Sequence, residues 1–155
     1  MNAYMIVKVI HVISATILFG TGIGIAFFKW IVDRSGDVAA IRIVAQRVVL
    51  ADWLFTAPAV VVQLGSGLYL ALAAGFPMTR GWLLYAIVLF FVAGACWIPV
   101  VALQIRMRNL VRHAHDAGMP LPEAYRRDSR RWFWLGVPAF GSLVVIYWLM
   151  VAKPF

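Results

Sequence analysis

The chain has 155 residues, of which 64% are hydrophobic and 13% are charged, and its formal net charge is +8. Soluble domains contain about 25% charged residues, so this composition excludes a soluble globular protein and predicts one that lies in a membrane. The few polar stretches leave no room for a separate soluble domain, and we expect residues 1–155 to form one transmembrane domain.

Four stretches with few or no charges are long enough to cross a bilayer, which takes about 20 apolar residues in a helix. In chain order they cover about residues 9–28, 53–74, 82–105 and 132–152. Short connections between consecutive helices place neighbours antiparallel. The predicted fold is therefore all-α, a polytopic membrane protein with four transmembrane helices in an antiparallel bundle.

The basic residues are distributed unevenly between the two sides of these spans. Of the 14 lysines and arginines, eleven lie in the connections after the first and third spans, and only Lys8, Arg80 and Lys153 lie on the other side. The positive-inside rule then predicts both connections in the cytoplasm and both termini outside. Because the basic residues lie near span ends, where anionic headgroups are found, we expect membrane lipids and no nucleic acid as partners.

Both basic connections show helical patterns. Asp37 is a candidate N-cap for residues 38–52, which either lie on the membrane surface or extend the second span. The third helix is expected to continue until Gly118, a candidate C-terminal cap. The stretch EAYRRDSRRW, residues 123–132, is expected to form a short basic turn before the fourth span.

Two of the spans carry polar groups on one face. By helical spacing, His11 shares a face of the first helix with the small residues Ala15 and Gly22. In the second span, a polar stripe falls within one arc and contains Asp52, Thr56 and Gln63. Polar groups that point at lipid lack hydrogen-bond partners, so both faces are predicted to look into the bundle, with His11 within reach of the stripe.

His11 is the one ionisable residue in or near the hydrocarbon whose side chain suits a metal, and imidazole is a common ligand of haem iron. The alternative is structural, with His11 hydrogen-bonded across a helix interface or to interfacial water. His113 and His115 are two residues apart and face different ways, so a solvated pair is favoured over a shared metal site.

Several stretches resemble a known family. KVIHVISATILFGTG, FTAPAVVVQLGSGLYL and WLGVPAFGSLVVIYWLMVAKPF, together with the four spans, resemble an uncharacterised bacterial family of integral membrane proteins over essentially the whole chain. More distantly, the Lys-x-x-His opening of the first span, TAPA and the closing KPF resemble the HemJ-type protoporphyrinogen oxidases, small four-helix membrane proteins that bind b-type haem. The first helix is also similar to that of the copper-resistance D-type membrane proteins.

The distant resemblance implies that His11 corresponds to the histidine implicated in haem binding, and that Ala15 and Gly22 on the same face leave space for the flat macrocycle. The HemJ-type proteins have an important lysine near the start of the third span, where this chain has Arg80. Arginine stays protonated and cannot act as a base or an amine ligand. The resemblance therefore implies haem binding more strongly than it implies porphyrinogen oxidation.

Three functional hypotheses remain open. The first is a haem b protein, a haem-linked oxidoreductase or electron carrier, with His11 as the iron ligand and its ring oriented by Asp52 or Gln63. Because no span contains a second histidine, the sixth ligand would be absent, non-histidine or His11 of another subunit in a homo-oligomer. The second is a small transporter in which His11, Asp52 and Gln63 line a path. The third is a structural or accessory membrane subunit without a cofactor.

Overall fold

The computed structural model describes residues 2–154, and within them it consists of helices and short connections, which confirms the all-α prediction. Four of its helical stretches are long and apolar enough to cross a membrane. The elements are α1 (Ala3–Ser35), α2 (Val38–Ala51), a π-helical turn (Asp52–Thr56), α3 (Ala57–Ala73), α4 (Gly81–Asp116) and α5 (Glu123–Ala152).

The helices are longer than a bilayer requires. At 1.5 Å per residue, the 33 residues of α1 and the 36 residues of α4 each span roughly 50 Å, against about 30 Å of hydrocarbon. The predicted spans lie inside these helices, apart from residue 74. We call the side where α1 meets α2 and α4 meets α5 the basic end, and the side with both chain termini the terminal end.

Two capping residues, Gly36 and Asp37, form the tight connection between α1 and α2 at the basic end. Gly36, with φ of 71°, ends α1 in the left-handed conformation that glycine adopts without strain. The next residue, Asp37, accepts hydrogen bonds from the backbone N–H groups of Ala39 (2.9 Å) and Ala40 (3.2 Å). The predicted cap at Asp37 is confirmed, and it turns the chain back within two residues.

The structure decides between the two alternatives predicted for the first basic connection and contradicts the prediction for part of the second. Residues 38–52 extend the second span, because α2, the π turn and α3 form one continuous helical stretch, Val38–Ala73. The prediction of a basic turn at residues 123–132 is wrong, since α5 already begins at Glu123. The physical reason is amphipathic spacing, because Tyr125, Asp128 and Trp132 recur every three to four residues and are all buried in the bundle.

The helices pack most extensively as two pairs, α1 with α3 and α4 with α5, while α2 packs against α4 and α1 at the basic end. One hydrophobic core lies at the basic end and includes Ile41, Met107, Val111, Tyr125 and Trp132. A second, smaller core at the terminal end is formed around Ala71, Trp82, Leu83, Ala86 and Leu149. Large apolar residues elsewhere point outward, as expected for surfaces that face lipid.

Candidate functional site

A hydrogen-bonded cluster around His11 connects α1 with α3 near the terminal end. The His11 Nδ1 atom lies 2.9 Å from the Ser66 hydroxyl, and the His11 Nε2 atom lies 3.1 Å from the amide nitrogen of Gln63. The Ser14 hydroxyl donates to the side-chain oxygen of Gln63, and the Ser66 hydroxyl donates to the carbonyl of Val62 at 2.5 Å. We call Ser14, His11, Gln63 and Ser66 the His11 cluster.

These contacts fit one protonation pattern. Because the Ser66 hydroxyl donates to a carbonyl, its oxygen accepts a hydrogen bond from Nδ1–H of His11, and Nε2 then accepts one from the Gln63 amide. The Gln63 oxygen is left to accept from Ser14. This assignment, inferred from the hydrogen-bond network, is a neutral imidazole with both nitrogens paired.

Gly67 makes the close approach of His11 possible. A Cβ atom at Gly67 would lie 3.1 Å from Cε1 of His11 and 3.7 Å from its Nδ1 atom. Ordinary contacts between carbon atoms are about 3.5–4.0 Å, so the ring rests directly on the glycine backbone. The small residue on α3 therefore sets the separation of α1 and α3 at this level.

A haem iron would need one of the two ring nitrogens of His11, and in the His11 cluster both are used. The predicted space for a macrocycle is also located elsewhere, because Gly22 lines a central cavity whose described lining contains neither His11 nor Ala15. The residues present do not fit an iron ligated by His11 in this arrangement.

The central cavity lies between all four helical stretches and has a volume of about 390 Å³. Most of its wall is apolar, and five aromatic rings contribute to it, from Phe90, Trp97, Trp132, Phe133 and Phe140. Asp52 is the one formally charged residue among the described residues that line it. Ligand pockets in proteins have volumes of roughly 300–1,000 Å³, so this cavity is large enough for a small molecule.

The π turn Asp52–Thr56 places two polar residues at this cavity. The backbone N–H of Ala57 bonds to the carbonyl of Asp52, five residues back. Pro58 follows, and because it has no N–H and its ring clashes with the carbonyl four residues earlier, it disfavours regular α-helical bonding here. Single π-helical turns within α-helices occur frequently at functional sites. Asp52 and Thr56 lie at the first and last positions of this turn and both line the cavity.

The polar atoms at the cavity wall have unmet hydrogen bonds. The side chains of Thr56, Gln104 and Trp97 lie around the Asp52 carboxylate. Within residues 2–154, no hydrogen-bond partner is found for Asp52 Oδ2, Thr56 Oγ1, Trp97 Nε1, Gln104 Oε1 or Trp132 Nε1. A buried polar atom without a partner costs about 1–3 kcal/mol. A polar ligand would therefore stabilise this group, which we call the Asp52 cluster.

The predicted polar stripe is thus divided between two places. Gln63 belongs to the His11 cluster, whereas Asp52 and Thr56 belong to the Asp52 cluster at the cavity that Gly22 also lines. Within the described residues, Asp52 makes no ion pair. The π turn explains the division, because it changes which way the helix faces between its two halves.

A buried ionic cluster at the basic end was missed from the sequence. Lys29 is 3% exposed and donates to Asp33 on the same helix, to Tyr125 (3.3 Å) and to Ser129 (3.2 Å) on α5. Tyr125 and Ser129 also donate to the Asp33 carboxylate, at 2.7 and 2.8 Å. The signal was available, since Lys29 and Asp33 are four residues apart in a helix and face the same way.

The remaining histidines lie at the basic end of α4. His113 is exposed, and His115 lies 3.5 Å from the exposed Asp116. In residues 2–154, no group of three or more His, Cys, Asp or Glu side chains is placed to hold a metal ion.

Comparison with known proteins gives a family match. Residues 5–154 match the model of a family described as "predicted integral membrane protein (DUF2269)". No curated protein and no solved structure is detectably similar to the chain. The family match supports the resemblance to an uncharacterised membrane family, and the more distant resemblance to HemJ-type oxidases and copper-resistance D-type proteins stays a prediction.

Proposed function

This chain belongs to the DUF2269 family of integral membrane proteins, and we propose that it binds a small hydrophobic organic cation in its central cavity. The observation that carries this proposal is a single carboxylate, Asp52, among five aromatic rings in a cavity of about 390 Å³. Aromatic faces attract cations, most strongly where water is excluded, and quaternary ammonium groups are recognised in this way.

Charge explains why a cation is favoured over a neutral ligand. A buried ionised carboxylate is costly unless it is paired, and a bound cation or a proton removes that cost. Asp52 is 5% exposed and lies one residue before the predicted second span. The mostly apolar wall suits a ligand whose remaining surface is hydrocarbon, since such surface gains free energy when it leaves water.

A small carrier has to bind its substrate inside the bundle, and an organic cation bound in the central cavity would meet this requirement. Of the three hypotheses from the sequence, the transporter hypothesis therefore gains most support from this geometry, with Asp52 as the cation-binding group. The basic end is proposed to face the cytoplasm of a bacterial inner membrane, on the strength of its eleven basic residues.

The test uses benzyltrimethylammonium and its neutral isostere neopentylbenzene, which have nearly the same shape and differ by one charge. Purified protein in a non-ionic detergent is titrated with each compound, and binding is followed by tryptophan fluorescence, to which Trp97 and Trp132 at the cavity contribute, with empty micelles subtracted. We expect the cation to bind at least tenfold more tightly than the isostere.

Two matched variants locate the charge effect. Asp52→Asn should abolish the preference for the cation, whereas Asp116→Asn, which removes an exposed carboxylate at the basic end, should preserve it. If Asp52→Asn and the wild type show the same preference, the proposal is wrong.

Haem ligation by His11 stays a prediction that the His11 cluster does not favour, because iron would have to displace Gln63 or Ser66 from a ring nitrogen. The visible spectrum of protein purified from haem-replete cells tests it. A Soret band that is lost in His11→Ala and kept in His113→Ala would establish haem binding at His11. Wild-type protein without a Soret band would end the haem hypothesis.

A further inference from the structure

A second cavity lies at the basic end, between the last turns of α1 and the first turns of α5, and has a volume of about 670 Å³. Its wall includes both partners of the buried Lys29–Asp33 pair and three further arginines, Arg34, Arg126 and Arg130. Nothing in the proposed cation site uses these arginines. We propose that this cavity binds the anionic headgroup of a phospholipid.

The floor of this cavity is electrically balanced. Lys29 donates its three ammonium protons to Asp33, Tyr125 and Ser129, and the Asp33 carboxylate accepts from the same two hydroxyl groups. Because the lysine and aspartate charges compensate each other, neither is available to an incoming anion. The excess charge of the cavity comes from the three arginines.

The three arginines are exposed and have donors to offer a ligand. The Arg34 guanidinium stacks on the Trp30 ring at 4.2 Å, which orients the group and leaves its in-plane N–H groups available. Arg130 lies 4.0 Å from Glu123, but both side chains are about three-quarters exposed, so this pair is worth little. Guanidinium groups bind phosphate through paired hydrogen bonds, which makes a phosphodiester a suitable ligand.

The apolar side of the cavity favours a lipid over a soluble phosphate. Trp30, Phe133 and Trp134 line it and are 46%, 49% and 69% exposed. Aromatic side chains of this kind are typical of the level where hydrocarbon meets headgroups. A phospholipid would place its phosphate at the arginines and its acyl chains along these rings, whereas inorganic phosphate would leave the rings without a partner.

Binding is measured by native mass spectrometry of detergent-solubilised protein titrated with phosphatidylglycerol or phosphatidylcholine of the same acyl chains. We expect phosphatidylglycerol to bind at least tenfold more tightly, and more weakly as salt rises. The triple variant Arg34→Gln, Arg126→Gln, Arg130→Gln should lose this preference, and Arg126→Gln alone, an exposed single change, should lose part of it.

The matched control replaces three exposed arginines that do not line the cavity, Arg112, Arg127 and Arg131, by glutamine. It changes the net charge by the same amount and should keep the preference within about twofold. Equal losses in both triple variants would show attraction by general surface charge and overturn the proposal. Competition by inorganic phosphate at the concentration of the lipid would overturn the assignment to a phospholipid.

Discussion

Replacing Gly67 by alanine tests the close packing of α3 against His11. The added methyl group would lie 3.1 Å from Cε1 of His11, so the ring must withdraw by a few tenths of an ångström. His11 is held at both ring nitrogens by Ser66 and Gln63, which are on the same helix as Gly67. The ring therefore cannot withdraw without lengthening at least one of these hydrogen bonds.

The expected change in the free energy of unfolding is the sum of opposing contributions. Overpacking costs about 1–3 kcal/mol and a weakened hydrogen bond up to about 1 kcal/mol. Replacing glycine by alanine within a helix stabilises the helix by about 1 kcal/mol. The matched control is Gly65→Ala, two residues earlier in α3, where an added Cβ meets nothing within 4 Å. We expect Gly67→Ala to be less stable than Gly65→Ala by about 1–4 kcal/mol.

The assay is thermal unfolding in detergent, followed by tryptophan fluorescence. For a chain of this size, each kcal/mol corresponds to roughly 2–4 °C in Tm. In a His11→Ala background the difference between the two glycine variants should disappear, because the methyl group then has no ring to displace. Equal Tm values for Gly67→Ala and Gly65→Ala in the wild-type background would refute the packing argument.

Three further predictions concern the basic end. Asp37→Ala should lower the free energy of unfolding by about 1 kcal/mol, because two N–H groups of α2 lose their cap; an unchanged Tm would contradict this. Asp33→Leu should cost about 3–5 kcal/mol by leaving Lys29 buried and unpaired, and Lys29→Met in the same chain should recover much of it; no recovery in thermal unfolding would argue against the ion pair. In intact cells carrying a chain whose native cysteine is replaced by serine, a cysteine at Ser35 should resist an impermeant maleimide and one at Lys153 should react; the reverse pattern would invert the proposed orientation.

The number of membrane-spanning helical stretches could be predicted because the hydrocarbon of the bilayer sets the same requirement for each of them. Each span must satisfy its backbone internally and present apolar side chains, so long apolar stretches are visible without tertiary information. The sequence pattern of residues 123–132 indicates a basic turn, because the many charged residues hide the helical spacing of Tyr125, Asp128 and Trp132. Charged residues between buried ones are the normal pattern for a helix that extends beyond the membrane.

The candidate site could be predicted only in part. Helical spacing predicted that His11 lies within reach of Gln63. The same spacing placed Asp52 on one face with Gln63, because it assumed a uniform turn angle along the second span. Pro58 was the available sign that this assumption fails near Asp52. Trp97, Gln104 and Trp132 could not be assigned to the Asp52 cluster from spacing, because they come from α4 and α5 and meet Asp52 only through packing between helices.

The π turn also fixes how far α2 and α3 are rotated relative to each other about their common helix axis. A turn closed by an N–H five residues on contains one residue more than an α-helical turn, which corresponds to about 100° of rotation about the helix axis. Straightening this turn into regular α-helix without removing a residue would rotate every later side chain of the span by about that angle. Gln63 and Ser66 would then turn away from His11 although neither had been changed. Removing one residue from Asp52–Thr56 would instead restore regular α-helical bonding and keep the later side chains where they are. The π turn thus sets the angular register between the two polar clusters.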